Sequence, residues 1–199
     1  MIDSLLDPEI VLIFRDLQEQ AYAVGEPDPT AMTLASADRH GRVSLRAVLL
    51  KQFDERGFVF YTNRHSHKGQ QLADNPRAAI HFLWFKIGNQ VQVRAEGEVE
   101  WVSDADADAY FASRARDSQI GAWASLQSET LPDRATFERR MDEVRLRFEG
   151  KPVERPPHWS GYRLRPDMVE FWYGARYRLH QRDRWDSVDG RWQRRLLYP

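Results

Sequence analysis

Three cationic or titratable side chains alternate near the end of the chain, at Arg178, His180 and Arg182. On a β-strand, residues two apart point to the same face, so these three would crowd positive charge together. Trp172 precedes them across Gly174 and could supply a flat apolar wall for a ring system. The pattern favours a site for an anionic, aromatic ligand. The alternative is an edge strand that its charges protect from aggregation.

A second group follows helical spacing. Tyr110, Arg114 and Ser118 lie four residues apart, so a continuous helix would place a hydroxyl, a guanidinium and a second hydroxyl on one face. This combination suits a phosphate group. The alternative is a solvated helix face on which the arginine pairs with a nearby acid. The acids close in sequence are Asp104, Asp106, Asp108 and Asp117.

A third candidate is the apolar run Ala47-Val48-Leu49-Leu50, which lies between Arg46 and Lys51. Its composition predicts a strand, and the odd spacing places the two cations on opposite faces. Either the two cations bind a ligand, or their long side chains extend from the ends of a buried strand to the solvent.

Composition limits the other possibilities. The 199 residues carry 29 Lys and Arg against 30 Asp and Glu, a net charge of −1, so no overall field attracts nucleic acid or an anionic membrane. The absence of cysteine excludes disulfides, thiolate metal sites and a cysteine nucleophile. His65-Ser66-His67 lacks a clear carboxylate partner, so no metal is predicted. Acidic residues interrupt the Arg- and Trp-rich stretch 182–195, which disfavours nucleic acid binding.

No glycine-rich dinucleotide fingerprint or phosphate loop occurs, so any bound nucleotide must be held by side-chain cations. The N-terminus lacks the basic and apolar regions of a signal peptide, and no later apolar run is long enough to span a membrane. We therefore expect a cytoplasmic protein.

The pattern of apolar residues predicts an N-terminal helix from Asp7 to near Gly25, and helices over 68–74, from Ser103 and over 137–148. Strands are predicted over 31–37, 43–53, 58–62, 78–87, 91–102, 162–164, 169–172, 178–185 and 192–198. Turn sequences separate these strands as hairpins, so the prediction is an α+β fold with an antiparallel sheet or barrel.

Several motifs of the chain occur in a fixed order. They include Tyr61-Thr62-Asn63, Ser118-Gln119-Ile120-Gly121-Ala122-Trp123, Glu170-Phe171-Trp172 and Arg178-Leu179-His180. In this order they resemble the pyridoxamine (pyridoxine) 5'-phosphate oxidase family, from about Asp28 to Pro199. The resemblance implies one domain over residues 1–199, with an N-terminal helix and connector over 1–28. It further implies an antiparallel split β-barrel with flanking helices, forming a homodimer that binds FMN at the subunit interface with residues from both chains.

The resemblance also implies roles for particular residues. FMN would be bound by Arg46, Ala47, Val48, Leu49, Lys51, Tyr61, Thr62, His67, Lys68, Gln92, Gln127, Ser128, Trp172 and Arg182. The substrate phosphate would be held by Lys51, Tyr110, Arg114 and Ser118. Arg178 and His180 would cover the substrate ring as the catalytic pair. The implied reaction is oxidation of pyridoxamine or pyridoxine 5'-phosphate to pyridoxal 5'-phosphate by FMN and oxygen, with release of hydrogen peroxide.

Three departures from the family pattern affect this expectation. His67 stands where an arginine is usual, which replaces a permanent cation by a residue type that titrates near neutrality. The family's Arg-Gln-Val motif is matched by Val91-Gln92-Val93, with Gln90 as the alternative to Gln92. A basic segment that covers the substrate in the family is not expected before the first helix, so closure of the site would be looser.

Two other functions remain open at this stage. One is a related flavin oxidase that acts on another cyclic substrate, as in phenazine biosynthesis. The other is a flavin- or pyridoxal-phosphate-binding protein without turnover. The four phosphate-site residues disfavour the first, and Arg178 with His180 disfavours the second. The sequence leaves the preference for amine or alcohol, and the existence of a second product site, undetermined.

Overall fold

The computed structural model describes residues 5–199. Five helices and nine strands follow one another along the chain. The helices are α1 (Pro8–Ala23), α2 (His67–Asp74), α3 (Asp104–Ser113), α4 (Arg116–Ala124) and α5 (Arg134–Arg147). The strands are β1 (Ala31–Ala37), β2 (Val43–Leu49), β3 (Gln52–Asp54), β4 (Gly57–Asn63), β5 (Arg77–Trp84), β6 (Val91–Trp101), β7 (Trp159–Tyr173), β8 (Gln181–Val188) and β9 (Arg191–Leu197).

The nine strands form one antiparallel sheet in the order β2-β1-β5-β6-β7-β4-β3, and β8 pairs with both β7 and β9. β1 and β5 alternate buried and less buried residues, as expected when one face of a sheet covers the core. The predicted α+β class and antiparallel split β-barrel with flanking helices are confirmed. No helix within residues 5–199 combines the length and apolar character needed to cross a membrane.

Helix α1 begins and ends as predicted. The Asp7 carboxylate accepts a hydrogen bond from the backbone N–H of Glu9, and Pro8 occupies the first turn, where no N–H partner is needed. Its buried face packs on the sheet mainly through Phe14, whose ring centroid lies 5.2 Å from that of Phe82. The helix therefore closes the main core.

Two predicted strand boundaries are wrong. The predicted strand 43–53 divides because the backbone N–H of Leu50 still bonds to Thr30 beside β1, whereas that of Lys51 bonds to Val59 on β4. The predicted strands 162–164 and 169–172 are parts of the single strand β7. Glu96 of β6 pairs with Met168 and Gly97 with Pro166, so Asp167 is an extra residue in β7 and the strand continues through this bulge.

The predicted continuous helix through Tyr110, Arg114 and Ser118 is also wrong. α3 ends at Ser113, Arg114 has the extended backbone angles φ −74° and ψ 149°, and α4 begins at Arg116. The Gln119 side chain donates to the carbonyl oxygen of Phe111 at 2.9 Å. The same carbonyl oxygen accepts the backbone N–H of Arg114 at 3.2 Å, so both contacts lie at the end of α3, where the chain bends.

The predicted strand from Arg178 is wrong as well. Residues 176–178 form a 3-10 turn in which Tyr177 and Arg178 have φ of 60° and 62°, and β8 begins only at Gln181. His180 closes this turn by accepting the backbone N–H of Ala175 on its Nδ1 at 3.2 Å. Arg178 and His180 therefore do not alternate with Arg182 on one strand.

Candidate functional site

Many of the predicted site residues surround one cavity of about 490 Å³ beside β2, β4 and α4. Three cations line it, Lys51, Lys68 and Arg114, and its described lining contains no carboxylate. The other lining residues are Ala47, Val48, Leu49, Tyr61, Thr62, Asn63, Tyr110, Ser118, Gly121, Ala122, Ser125, Gln127 and Trp159. A cavity with this charge balance favours an anionic ligand.

One group of polar side chains gathers around Lys68. The Lys68 Nζ donates to Gln127 Oε1 at 2.9 Å and to Thr62 Oγ1 at 3.2 Å. Both acceptors are neutral. Burial, and next the charge of Arg46, lower the pKa of Lys68 to about 8. An ammonium group in these surroundings lacks a counter-ion and would be stabilised by an anion.

Arg46 lies behind this group and does not line the cavity. Its guanidinium donates to Ser36 Oγ at 2.7 Å, to Ser44 Oγ at 2.6 Å and to Gln71 Oε1 at 3.3 Å. Burial lowers the pKa of Arg46. Neutral oxygens fix its position without neutralising its charge, so Arg46 adds a positive field to the site around Lys68.

The second group consists of Lys51, Tyr110, Arg114 and Ser118, which all line the cavity although the predicted helix is broken between them. The Arg114 Nη1 atom is buried and has no hydrogen-bond partner. Burial lowers the pKa of Arg114. Because an unpaired buried donor is costly, this guanidinium is suited to an anionic ligand in the cavity.

Three aromatic rings stack beside this second group. The Tyr61 centroid lies 4.2 Å from that of Tyr110 and 5.1 Å from that of Trp159, with interplanar angles of 19° and 8°. Five residues of the lining were not predicted from the sequence: Trp159, Asn63, Gly121, Ala122 and Ser125. Local spacing contains no signal for Trp159, because its ring partners come from β4 and α3.

The remaining predicted FMN residues divide between a second cavity and the surface. Gln92, Trp172 and Arg182 line a cavity of about 400 Å³ with which the first cavity shares no described residue. Gln92 Oε1 lies 3.2 Å from His81 Nε2. Gln90 instead lies in the turn before β6, with φ 106°, and lines a different groove. Of the two alternatives, Gln92 is the one beside Trp172 and Arg182.

Ion pairs fix the charged side chains that line this second cavity. The buried carboxylate of Glu170 accepts from Arg182 Nε at 2.7 Å and from an Arg94 Nη at 2.9 Å. The pKa of Arg182 is raised, first by its hydrogen bond to Glu170. Arg182 therefore has a fixed orientation, unlike an arginine at a free edge.

Besides Arg46, four predicted site residues line neither cavity. His67 is the exposed first residue of α2, and Ser128 is exposed with φ 76°. Arg178 is exposed in the 3-10 turn, and the half-buried His180 ring lies 4.3 Å from that of Trp172. Their predicted contacts with ligands stay predictions.

One edge of the sheet exposes apolar side chains. Val43, Leu45 and Leu49 share a face of β2 and are 69%, 70% and 39% exposed. Among residues 5–199, β2 pairs only with β1, so no described strand covers its outer edge. An exposed apolar face on an open edge strand favours contact with another chain.

Comparison with known proteins identifies relatives over nearly the whole chain. Residues 18–148 match the sequence model of the pyridoxamine 5'-phosphate oxidase family, and residues 159–199 match that of the pyridoxine 5'-phosphate oxidase C-terminal dimerisation region. A pyridoxine/pyridoxamine 5'-phosphate oxidase of Myxococcus xanthus is 50% identical over 195 residues, which are 98% of this chain and 94% of the relative. The protein of that name from Caulobacter vibrioides is 51% identical, over 94% of this chain and 83% of the relative.

Solved structures agree with this relationship. PhzG from Burkholderia lata, in complex with tetrahydrophenazine-1-carboxylic acid, has a TM-score of 0.88 and 31% identity, over 97% of this chain and 95% of PhzG. A pyridoxamine 5'-phosphate oxidase-related, FMN-binding protein of Nostoc punctiforme has a TM-score of 0.72 at 19% identity, over 98% and 99% of the two chains, and supports the fold alone. By its matches to the family's sequence model and to relatives at half identity, the chain belongs to the pyridoxamine 5'-phosphate oxidase family.

Proposed function

We propose that this chain is an FMN-dependent oxidase that converts pyridoxamine or pyridoxine 5'-phosphate to pyridoxal 5'-phosphate. Oxygen is the electron acceptor, hydrogen peroxide is released, and the amine substrate also yields ammonia. The names of the relatives at half identity support this activity. The observation that carries the proposal is one cavity with two separate sets of phosphate-binding groups and no described carboxylate in its lining.

The set around Lys68 suits the phosphate of FMN. A phosphate there would accept a charge-assisted hydrogen bond from Lys68 and relieve the repulsion between this ammonium and Arg46. Thr62 and Gln127, which hold the Lys68 amine, lie within reach as polar partners. The flavin ring would lie along Ala47, Val48 and Leu49 of β2 and beside Tyr61, which line the same cavity.

The set around Arg114 suits the phosphate of the substrate. The buried, unpaired Nη1 of Arg114 would gain an acceptor, and the hydroxyls of Tyr110 and Ser118 could donate to the same phosphate. Lys51 adds a second cation at this end of the cavity. Fixing the phosphate fixes the ring of the substrate relative to the flavin, which is the main contribution that a protein makes to cofactor chemistry.

We propose further that the active form is a homodimer. The match of residues 159–199 to a dimerisation region supports it, as does the exposed apolar face of β2. The FMN positions that the family pattern implies are divided between two cavities of this chain. In the dimer, Gln92, Trp172 and Arg182 of one protomer would complete the first cavity of its partner and bring Arg178 and His180 over the substrate.

FMN, when bound, accepts the hydride equivalent that leaves the 4' carbon of the substrate, and oxygen then takes the electrons as hydrogen peroxide. Arg178 would cover the ring face opposite the flavin and hold the ring in place. His180 accepts a backbone N–H on Nδ1, so a neutral ring carries its proton on Nε2. That N–H is available to the substituent at the reacting carbon.

A second candidate is oxidation of a carboxylated tricyclic substrate, because PhzG was solved with tetrahydrophenazine-1-carboxylic acid. The phosphate set disfavours it. A carboxylate carries one negative charge and a phosphate up to two, and three cations line the cavity without a described acid to balance them.

An oxidase assay tests the proposal. FMN-loaded protein is mixed with pyridoxamine 5'-phosphate, pyridoxine 5'-phosphate or unphosphorylated pyridoxamine, and the aldehyde and peroxide are measured. We expect both products from the phosphorylated compounds and poor reaction of pyridoxamine. Equal catalytic efficiency with and without the phosphate would refute the assignment of Tyr110, Arg114 and Ser118. Ligand binding without peroxide would identify a non-catalytic binding protein.

A further inference from the structure

The ring of Trp159 packs against the residues around Arg114 that are proposed to bind the substrate phosphate. Trp159 is the first residue of β7 and is 7% exposed. The Tyr110 ring lies nearly parallel to it at 6.1 Å and 12°, and the guanidinium carbon of Arg114 lies 4.9 Å from its ring centroid. One indole therefore contacts two of the residues proposed to bind the substrate phosphate.

Arg114 is held in an unusual way for a buried arginine. Its guanidinium faces the rings of Trp159 and Phe111, the latter at 5.6 Å, and no carboxylate among residues 5–199 forms a salt bridge with it. An acid would fix the arginine but also neutralise it and occupy its N–H groups. A ring face attracts the cation through its quadrupole and leaves the N–H groups free at the ring edge. Arg114 is thus held by two ring faces, and no described carboxylate neutralises its charge.

Trp159 itself has little freedom. Its backbone N–H donates to Pro156 at 3.0 Å, and its carbonyl accepts from Arg155 Nη1 at 2.9 Å. The same Arg155 bonds Asp104 at 2.8 Å and Asp108 at 2.5 Å, both on α3. These contacts tie the start of β7 to the helix that carries Tyr110. The indole and the helix are therefore fixed relative to each other.

The stacked rings also include Tyr61, which is proposed to lie beside the flavin. A Cβ atom on Gly161 would lie 2.7 Å and 2.8 Å from two ring carbons of Tyr61, so the glycine is what lets this ring lie flat against β7. In that position Tyr61 stacks on Trp159 with an interplanar angle of 8°. The rings of Tyr61, Tyr110 and Trp159 thus form one stack, which joins a proposed flavin neighbour to the residues around Arg114.

We propose that Trp159 is a positioning residue, whose ring holds the Arg114 guanidinium in the orientation that captures the substrate phosphate. The proposal rests on the proposed function, in which the substrate is phosphorylated. Trp159 acts through Arg114, so its effect on ligand binding depends on the presence of that arginine. A purely structural role in the core would not depend on it.

A double-mutant cycle tests this dependence. Trp159→Leu, Arg114→Ala and the double variant are compared with wild type, with pyridoxal 5'-phosphate binding to the FMN-loaded protein measured by calorimetry. Loss of a desolvated cation–ring contact should weaken binding in Trp159→Leu by about 5- to 30-fold. In the Arg114→Ala background, the same change should cost less than about twofold, because the two residues act as one unit. The KM for pyridoxamine 5'-phosphate should rise in parallel, with kcat changed by less than about threefold.

Phe148→Leu is the matched control. Phe148 belongs to the same small core cluster as Trp159 and is also 7% exposed, but it packs on Trp123 and lines neither cavity. We expect it to lower thermal stability and leave ligand affinity unchanged. If Phe148→Leu weakens binding as much as Trp159→Leu, or if the losses in the cycle are additive, Trp159 has no positioning role.

One further variant keeps the test decisive. Should Trp159→Leu lose the native near-ultraviolet circular dichroism, the cycle is run with Trp159→Phe, which keeps a ring and should weaken binding less, again only when Arg114 is present. The cycle also separates the two proposals. Non-additive binding in a protein that does not oxidise pyridoxamine 5'-phosphate would retain the positioning role and reject the function. Additive binding in an active oxidase would do the reverse.

Discussion

Lys68 and Gln127 lie 59 positions apart in sequence, yet the Lys68 Nζ donates to the Gln127 Oε1 at 2.9 Å. The contact joins the start of α2 to the loop after α4 at the wall of the cavity. An amide oxygen satisfies one N–H of the ammonium without neutralising its charge. The pKa of Lys68 is therefore lowered to about 8, with burial as the main cause and the charge of Arg46 as the second.

This lowered pKa predicts a pH dependence of FMN binding. Below pH 8 the free protein presents an ammonium to the FMN phosphate, and above it an uncharged amine. The bound phosphate raises the pKa of Lys68, so FMN affinity should fall as pH rises from the free-state pKa through the bound-state value. FMN affinity can be measured between pH 6 and pH 10 by the quenching of FMN fluorescence on binding. Lys68→Met should bind FMN more weakly at pH 7 and lose this dependence; an unchanged slope in Lys68→Met would contradict the role of Lys68.

Stability of the FMN-free protein should show the opposite trend. The pKa of Lys68 rises on unfolding from about 8 to its ordinary value of 10.5, so the unfolded state binds more protons between these values. The free energy of unfolding contributed by this residue therefore increases with pH from about 8 to 10.5. The difference in unfolding free energy between wild type and Lys68→Met, measured with urea at pH 7 and pH 10, isolates this contribution.

The apolar face of β2 predicts the effect of a charge on assembly. Leu45 is 70% exposed on the open edge strand, so Leu45→Glu should place a charge in the proposed dimer interface. We expect the variant to be monomeric in analytical ultracentrifugation and to bind FMN poorly, because each site would lose the partner's contribution. Leu146→Glu is the matched control, since Leu146 is 71% exposed on α5. Dimers that retain FMN in Leu45→Glu would exclude β2 from the interface.

Arg114→Ala tests whether the substrate phosphate and the FMN phosphate are bound by different groups of residues. Loss of a charged hydrogen-bonding contact should weaken substrate capture by about 2 to 3 kcal/mol, or roughly 30- to 150-fold in kcat/KM for pyridoxamine 5'-phosphate. FMN affinity should barely change, because the proposed FMN phosphate site is built around Lys68 and Arg46. If the variant instead loses FMN and keeps a normal KM, Arg114 belongs to the cofactor site.

The sequence predicted which residues gather at the site better than it predicted the elements that carry them. Tyr110, Arg114 and Ser118 line one cavity as expected, although the helix expected to align them is broken. At the break, the Gln119 side chain donates to the Phe111 carbonyl, which also accepts the backbone N–H of Arg114. Helical spacing contains no information about such a side-chain contact, because the residues on both sides of the bend keep good helix propensity.

Other features depend on contacts between distant parts of the chain. The turn at Arg178 requires positive φ at two non-glycine residues, which is rare and so was not expected from the sequence. Trp159 was missed because its importance comes from rings on β4 and α3 that stack on it only in the folded protein. Hairpins with strong turn signals, such as the one at Asp189-Gly190, were predicted correctly because their signal is local.

His67 provides the last prediction, since it stands where the family usually offers an arginine to the FMN phosphate. It is exposed at the first position of α2, next to Lys68 in sequence. Histidine side chains lose their proton at about pH 6.5 in model peptides, whereas an arginine stays charged. A charged side chain at this position would assist binding of a nearby phosphate, so an arginine, which stays charged, should strengthen FMN binding most at high pH.

The experiment compares FMN affinity from pH 6 to pH 9 in wild type and in His67→Arg. We expect the two proteins to bind alike at pH 6 and the arginine variant to bind more tightly at higher pH. Lys68 and Arg46 are present in both proteins, so the loss that comes from Lys68 near pH 8 cancels in the ratio of the two affinities. The remaining cations limit the effect to weaker binding rather than release of FMN. If this ratio is constant over the whole range, the His67 side chain points to solvent, and Lys68 holds the FMN phosphate without it.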